Sequence, residues 1–179
     1  MKYVLQEIVC ENQSAFVAKR LIIDNVLVTH EMMSRISRKK KGRCGEMALK
    51  LNMSKAYDRV EWVYLQQIMK RSGFHDEWIS IVMKCVTSVT YAVRINGQPC
   101  GKIQPTRRLR QGDPLSPYLF LICAEGLSTL LHNAVQQKKL KGVAASVKGP
   151  KVSYLFFADD SIIFGHAIKE DAAEIQRLL

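Results

Sequence analysis

Two adjacent carboxylates, Asp159 and Asp160, interrupt the most apolar neighbourhood of the sequence, "SYLFFADDSIIF" at 153–164. A buried carboxylate is costly unless a positive charge meets it. Ala158-Asp159-Asp160-Ser161 is also good turn chemistry, because Asp tolerates turn geometry and bonds its own backbone. The pair therefore either occupies the tip of a hairpin or holds a cation. Two like charges side by side repel, and a hard divalent cation with oxygen ligands relieves that repulsion. In two-metal phosphoryl or nucleotidyl transfer, the ions activate a 3′-hydroxyl and stabilise the leaving pyrophosphate. Such a site wants a third carboxylate from another strand. The natural place is the end of "EMALKL" (46–51), and Asn52 stands there. Asp58 and Glu61 follow inside a helical pattern, where pairing with Arg59, Lys55 or solvent is the simpler reading.

The elements that must carry these residues follow from periodicity. "RLIIDNVLVTHEMMSRI" (20–36) places apolar residues at Ile22, Ile23, Val26, Leu27 and Met33, a helical stripe with a basic last turn. "EMALKL" alternates as a strand does. "SKAYDRVEWVYLQQIMKRSGF" (54–74) predicts one amphipathic helix, with Ser54 as N-cap, Ala56, Val60, Val63 and Ile68 buried, and Gly73 as the stop. "DEWISIVMKCV" (76–86) predicts a second, more buried helix. Asn96-Gly97 between two strand-like runs predicts a type I′ hairpin. Asp113-Pro114 and Ser116-Pro117 each match an N-cap followed by proline at the first helical position, opening a long buried helix. Gly142 begins a return to strand. "VSYLFF" leads into the Asp pair, "SIIFGH" leads out, and "KEDAAEIQRLL" ends the chain as a helix. Strands mixed with helices and joined by hairpins give the α+β class, an antiparallel sheet with helices on one face.

The chain has 179 residues, enough for one domain with its own core, or for a domain and a fragment of another. Lys and Arg number 27 against 16 acidic residues, a formal net charge of +11. That balance favours a polyanionic partner, nucleic acid first and an anionic membrane surface second. "SRISRKKKGRCGE" (34–46) reads as an exposed basic loop: a solvated turn, a nucleic-acid contact or a nuclear-import signal. The longest apolar run, "YLFLICA" (118–124), is too short to cross a bilayer, and Glu7 and Glu11 stand where a signal peptide wants apolar residues. The five cysteines form no CxxC pair and no zinc-ligand spacing with His30, His75, His132 or His166. The expectation is an intracellular protein with reduced thiols, in nucleus or cytoplasm, without a membrane partner.

Four blocks in order resemble the reverse transcriptase domain of non-LTR (LINE-type) retrotransposons, of the kind common in plant genomes: "ENQSAFVAKRLIIDN", "MALKLNMSKAYDRVEW", "LRQGDPLSPYLFLICAEGLS" and "LFFADDSIIF". The resemblance runs from about Glu11 to the C-terminus, and "QGDPLSP" followed by "FADD" is specific in combination. It implies a right-hand polymerase fold, with a fingers-like segment at about 1–50 and a palm at about 51–179 of a single partial domain. The thumb and any endonuclease segment are expected to be missing. It implies an RNA-directed DNA polymerase that takes an RNA template, a DNA primer, dNTPs and Mg2+.

The resemblance also implies roles, residue by residue. Asp159 and Asp160 are metal ligands at the palm hairpin, with Phe157 and Ala158 beside the primer terminus. Asn52 occupies the position of the other catalytic aspartate, and the Met53 carbonyl faces the second metal. Tyr57 takes the steric-gate position, crowding a ribose 2′-hydroxyl, with plain helix packing as the alternative. Gln111 and Gly112 lie beside the incoming nucleotide and template base, or are simple loop residues. Arg20 matches a fingers arginine near nucleotide or template. Arg107, Arg108 and Arg110 are cations for nucleic acid or a solvated face.

The departures from the family pattern matter as much. The family reads Leu-Asp-Met-Ser-Lys-Ala-Tyr-Asp where this chain reads "LNMSKAYD". A unit charge about 4 Å from a divalent ion is worth roughly 8 kcal/mol gross at an effective dielectric of about 20. Retaining even a third of that, roughly 3 kcal/mol, is about a hundredfold in affinity or rate. The two-metal site has thus lost one ligand charge, and a weak or inactive polymerase is expected. A non-catalytic basic nucleic-acid-binding remnant is the alternative. "FVAKR" replaces the usual "FVPGR", which shifts the setting of Arg20. "TRRLRQ" replaces "TRGLRQ", which puts Arg108 where glycine-like backbone freedom is called for.

Overall fold

The computed structural model describes residues 4–39, 44–146 and 149–179. The elements in chain order are α1 (Leu5–Ile8), α2 (Ile22–Arg38), β1 (Glu46–Asn52), a 3-10 turn (Ala56–Arg59), α3 (Trp62–Arg71), α4 (Asp76–Thr87), β2 (Tyr91–Ile95), β3 (Gln98–Ile103), α5 (Ser116–Gln136), β4 (Val143–Ala144), β5 (Lys151–Val152), β6 (Tyr154–Phe157), β7 (Asp160–His166) and α6 (Lys169–Leu178). Helices and antiparallel strands are mixed, as the α+β reading expects. The chain forms two compact units, one of Met1–Ser54 with Ala124–Leu179, the other of Lys55–Cys123.

The first unit is built on an antiparallel sheet with the strand order β1-β7-β6. Side chains alternate between faces along each strand. Tyr154, Phe156 and Ile163 point to one face, where they pack with Leu131 and Ala134 of α5, Leu140, and Ile175 and Leu178 of α6. Leu155 and Phe164 point to the other, against Val143 and Met32 of α2. Phe156 and Phe164 are fully buried, and each such side chain contributes roughly 1.5–3 kcal/mol of transfer free energy.

Helix α2 forms where the sequence predicts it, but its inward face differs from the expected one. Ile22, Ile23, Val26, Leu27 and Met33 are exposed, and the helix buries Asn25 and Met32 instead. Val28 and Ile36 complete that inner row. The cause is polar. The Asn25 amide donates to the backbone carbonyls of Asn12 (2.9 Å) and Phe156 (3.1 Å), and this pair of bonds turns its side of the helix inward. The basic stretch expected as a loop over 34–46 is helical through Arg38 and enters β1 at Glu46. It is partly neutralised, because Arg35 of α2 and Lys39 both pair with Glu46, at 3.4 and 2.6 Å. Residues 40–43 of that stretch lie outside the described residues.

In the second unit, the single helix expected over 54–74 is two elements. Val60 and Glu61 are extended between the 3-10 turn and α3. Backbone pairing explains the break. Arg108 N–H donates to Val60 C=O and Leu109 N–H to Tyr57 C=O, both at 2.8 Å, so these carbonyls serve a neighbouring segment rather than a helix. Ala56 and Val60 are buried as expected, together with Leu65 and Met69, whereas Val63 is exposed and Ile68 half-buried. Ser54 caps neither element; Lys55 and Glu61 hold the cap positions. Helix α4 buries Ile79 and Val82 but exposes Ile81, so it is less buried than its composition suggests. β2 and β3 pair antiparallel around Asn96 and Gly97, whose φ values of 49° and 84° make the turn type I′.

Asp113 Oδ1 accepts the Leu115 N–H at 2.8 Å just ahead of α5, which begins at Ser116. Among the described residues, α5 is long and apolar enough to cross a membrane by length and composition, with a hydropathy of 1.3. The apolar run at 118–124 is only its most hydrophobic part; the polar Glu125, Ser128 and Thr129 dilute the stretch without ending the helix. Leu131 and Ala134 pack into the first unit's core, and Leu119 to Cys123 are buried. All five cysteines are free. Burial pushes the Cys123 thiol up to about 12, which suits a core residue rather than a nucleophile.

Candidate active site

The Asp pair is divided between a turn and a strand. Phe157 and Asp160 are the last partners of the β6–β7 ladder, which leaves Ala158 and Asp159 as a two-residue loop. Ala158 takes the left-handed conformation that such a tight loop demands, with φ at 57°. Asp159 is exposed at the tip, and Asp160 is the first, half-buried residue of β7. The pair therefore does sit at a hairpin, with Asp159 exposed and Asp160 half-buried.

β7 is the central strand, so Asp160 has a neighbour on each side. Phe157 is its partner on β6 and Asn52 its partner on β1. Side chains directly opposite across an antiparallel ladder stand roughly 4.5–5.5 Å apart at Cβ. The amide of Asn52 thus lies next to the carboxylate of Asp160, and Met53 follows as a half-buried residue just past β1. Two residues back along β1, Lys50 projects from the same face as Asn52. Its Nζ is 3.3 Å from Asp160 Oδ2. Two carboxylates, one ammonium and one neutral amide share this end of the sheet. Lys50 was not singled out in the sequence, although its spacing from Asn52 on a strand was the available signal.

Arg20 has a backbone role. Its guanidinium donates to the carbonyls of Val9 (2.9 Å), Gln13 (2.8 Å) and Cys10, tying the loop that follows α1 into one shape. Glu125 of α5 supports the same loop, accepting the Cys10 N–H at 3.1 Å. Burial pushes the Glu125 carboxyl up to about 7, against the lowering effect of that bond and of Arg20.

The remaining expected site residues belong to the second unit. Tyr57 is half-buried in the 3-10 turn and stacks on Phe120, with ring centroids 5.0 Å apart. Gln111 and Gly112 form an exposed turn, in which Gly112 has a φ of 85° and open space around it. Arg108 lies 4.3 Å above the Tyr91 ring, 3.9 Å from Asp58 Oδ1, and at a φ of 97°. Arg107 pairs with Glu61 at 3.2 Å, and Arg110 is exposed.

Three comparisons give these features a setting. The family described as reverse transcriptase (RNA-dependent DNA polymerase) matches residues 1–179. The chain is 52% identical over 67 residues to an uncharacterized mitochondrial protein of Arabidopsis thaliana, covering 37% of this chain and 55% of that one. It is 27% identical to the transposon TX1 uncharacterized 149 kDa protein of Xenopus laevis, over 99% of this chain and 13% of that protein. It is 29% identical to a retrovirus-related Pol polyprotein from the type-1 retrotransposable element R2 of Popillia japonica, over 63% of this chain and 18% of that protein. The chain therefore spans between 13% and 55% of the length of these curated relatives. Among solved structures, apo telomerase from Candida tropicalis, truncated from the C-terminal domain, superposes with a TM-score of 0.58 at 14% identity, over 88% of this chain and 30% of that one. That likeness is one of fold.

Proposed function

Because this chain belongs to the reverse transcriptase (RNA-dependent DNA polymerase) family, we propose that it carries palm and fingers parts of a retrotransposon polymerase whose own metal site is one charge short. The observation that carries the reading is the ladder that sets Asn52 opposite Asp160, one residue from Asp159 at the turn. The sheet β1-β7-β6 is the palm in this reading.

The donor set fits a hard divalent cation in kind. Asp159 and Asp160 offer carboxylate oxygens, Asn52 an amide oxygen, and Lys50 already shows that Asp160 attracts positive charge. It fits poorly in charge, and no group of three or more His, Cys, Asp or Glu with metal-binding geometry is found among the described residues. When bound, Mg2+ supplies the charge that lowers the cost of a developing alkoxide and of the pyrophosphate leaving group.

The reaction joins the oxygen of a primer 3′-hydroxyl to the α-phosphorus of a dNTP. The bond from that phosphorus to its bridging oxygen breaks, pyrophosphate departs with the electron pair, and the hydroxyl proton passes to water. Phe157 and Ala158 offer apolar surface to the primer terminus, and Met53 its carbonyl to the site. In the second unit, Tyr57 crowds the ribose 2′-position, Gln111 and Gly112 meet the nucleotide, and Arg108 and Arg110 meet phosphate. The stack of Tyr57 on Phe120 holds the ring that such a gate requires. Arg20 acts at one remove, by shaping the loop beside β6. An intracellular setting, where RNA template, DNA primer and dNTPs are found, goes with this reading.

Primer extension on poly(rA)/oligo(dT) tests it. The chain itself should incorporate little, and Asn52→Asp about a hundredfold more. Equal, robust incorporation by both chains would sink the charge-deficit argument. A second reading, a nucleic-acid-binding remnant without chemistry, is favoured by Lys50 standing where positive charge would compete with a metal. Its signature is RNA binding that weakens steeply with salt, with no incorporation by either chain.

A further inference from the structure

We infer that Gln13 is the positioning residue of the Asp159 turn, holding Ala158 in the conformation that presents the acidic pair. The inference rests on the metal-site reading above and adds the part that keeps the site in shape. Residues 12–14 run beside β6: Phe156 N–H donates to Asn12 C=O at 2.9 Å, Ser14 N–H to Phe156 C=O at 3.4 Å, and Gln13 bridges Phe156 in parallel. From there Gln13 turns a side chain that is almost wholly buried toward the hairpin. Its Oε1 accepts the Ala158 N–H at 3.1 Å and the Ala15 N–H at 3.0 Å. One oxygen thus joins the turn to the loop.

Ala158 needs such a hold. A non-glycine residue at a φ of 57° sits in a sparsely populated well and relaxes out of it unless its surroundings fix it. The loop that delivers the oxygen is itself fixed, by Arg20 on the Gln13 carbonyl and by the Asn25 amide on Asn12 and Phe156. Stability does not explain the choice of glutamine. Its Nε2 is buried with no partner among the described residues, a cost that a methionine of similar length avoids. What glutamine supplies and methionine does not is the acceptor for Ala158. If the turn relaxes, Asp159 leaves the neighbourhood of Asp160 and Asn52, and the oxygen set disperses.

The test uses the full chain, isotopically labelled. A scalar coupling across the hydrogen bond, from the Ala158 nitrogen to the Gln13 Cδ, is expected, and its absence overturns the inference without any variant. Gln13→Met should speed amide exchange at Ala158 about tenfold or more and weaken Mn2+ binding by a similar factor. Exchange at Phe164, whose N–H bonds Ser153 C=O, should stay unchanged, which separates the effect from general loosening. Gln13→Glu keeps the oxygen and should restore both readouts to within about threefold. Unchanged Ala158 exchange in Gln13→Met overturns the inference; if that variant does not fold, the coupling and the Glu variant decide. Should Ala158 respond while neither this chain nor Asn52→Asp binds Mn2+, the metal reading falls and the hold on the turn stands.

Discussion

Asn52 and Asp160 are direct partners across the β1–β7 ladder, an amide opposite a carboxylate at one end of the sheet. In the proposed metal site, a carboxylate in place of the amide adds a charge beside Asp160 without lengthening the side chain. Asn52→Asp should raise Mn2+ affinity by about a hundredfold, from roughly 3 kcal/mol of added attraction. Isothermal titration of Mn2+ into the two chains measures it. A change below threefold means that Asn52 does not face the ion.

Lys50 competes for the same carboxylate. Its ammonium is 3.3 Å from Asp160 Oδ2, with both side chains substantially exposed. Pairs of this kind are worth about 0.2–1 kcal/mol. Lys50→Met should therefore tighten Mn2+ binding by up to about fivefold, the more so at low ionic strength. Weaker binding in the variant would assign Lys50 a supporting role instead.

Glu125 makes stability depend on pH. Burial holds its folded carboxyl at about 7, up from 4.5. In the unfolded chain the proton is lost first, so the stabilisation is fully present below about pH 4.5 and disappears as pH rises through about 7. Allowing for partial exposure, the swing is about 2 kcal/mol. Glu125→Gln keeps the acceptor for Cys10 and removes the titration. Its advantage over the unchanged chain in urea unfolding should be larger at pH 8 than at pH 5, and a pH-independent difference refutes the account.

Arg108 carries backbone strain at a φ of 97°. Both Arg108→Gly and Arg108→Ala lose the stack on Tyr91 and the long contact to Asp58. Only glycine also relieves the strain. The glycine variant should be more stable than the alanine variant by about 1 kcal/mol, the reverse of their ordinary ranking. Thermal unfolding of the pair shows the sign.

How much of this was legible depended on how local each cause was. The Asp hairpin, the Asn96-Gly97 turn and strand β1 declare themselves within a few residues, and the structure has all three, although burial along β1 does not alternate. The strain at Arg108 was readable only through the family resemblance, in which glycine stands at that position. The inner face of α2 was not. Apolar residues surround that helix, and the choice is made by Asn25 bonding Phe156, 131 positions away. The break at Val60 has the same origin, since the N–H groups that claim its carbonyl and that of Tyr57 belong to Arg108 and Leu109. Gln13 left no mark in the sequence, because its partner Ala158 lies 145 positions on.

The outward row of α2 has a consequence in solution. Leu21, Ile22, Ile23 and Leu27 are each more than half exposed, and the chain carries a net +11. Repulsion between like-charged copies and adhesion between their apolar rows oppose each other, and only the first is screened by salt. At about 0.01 M salt the repulsion reaches about 30 Å, and at about 0.15 M it shrinks to about 8 Å. Ionic strength thus sets the colloidal behaviour of this chain, dispersed in dilute buffer and adhesive in concentrated salt.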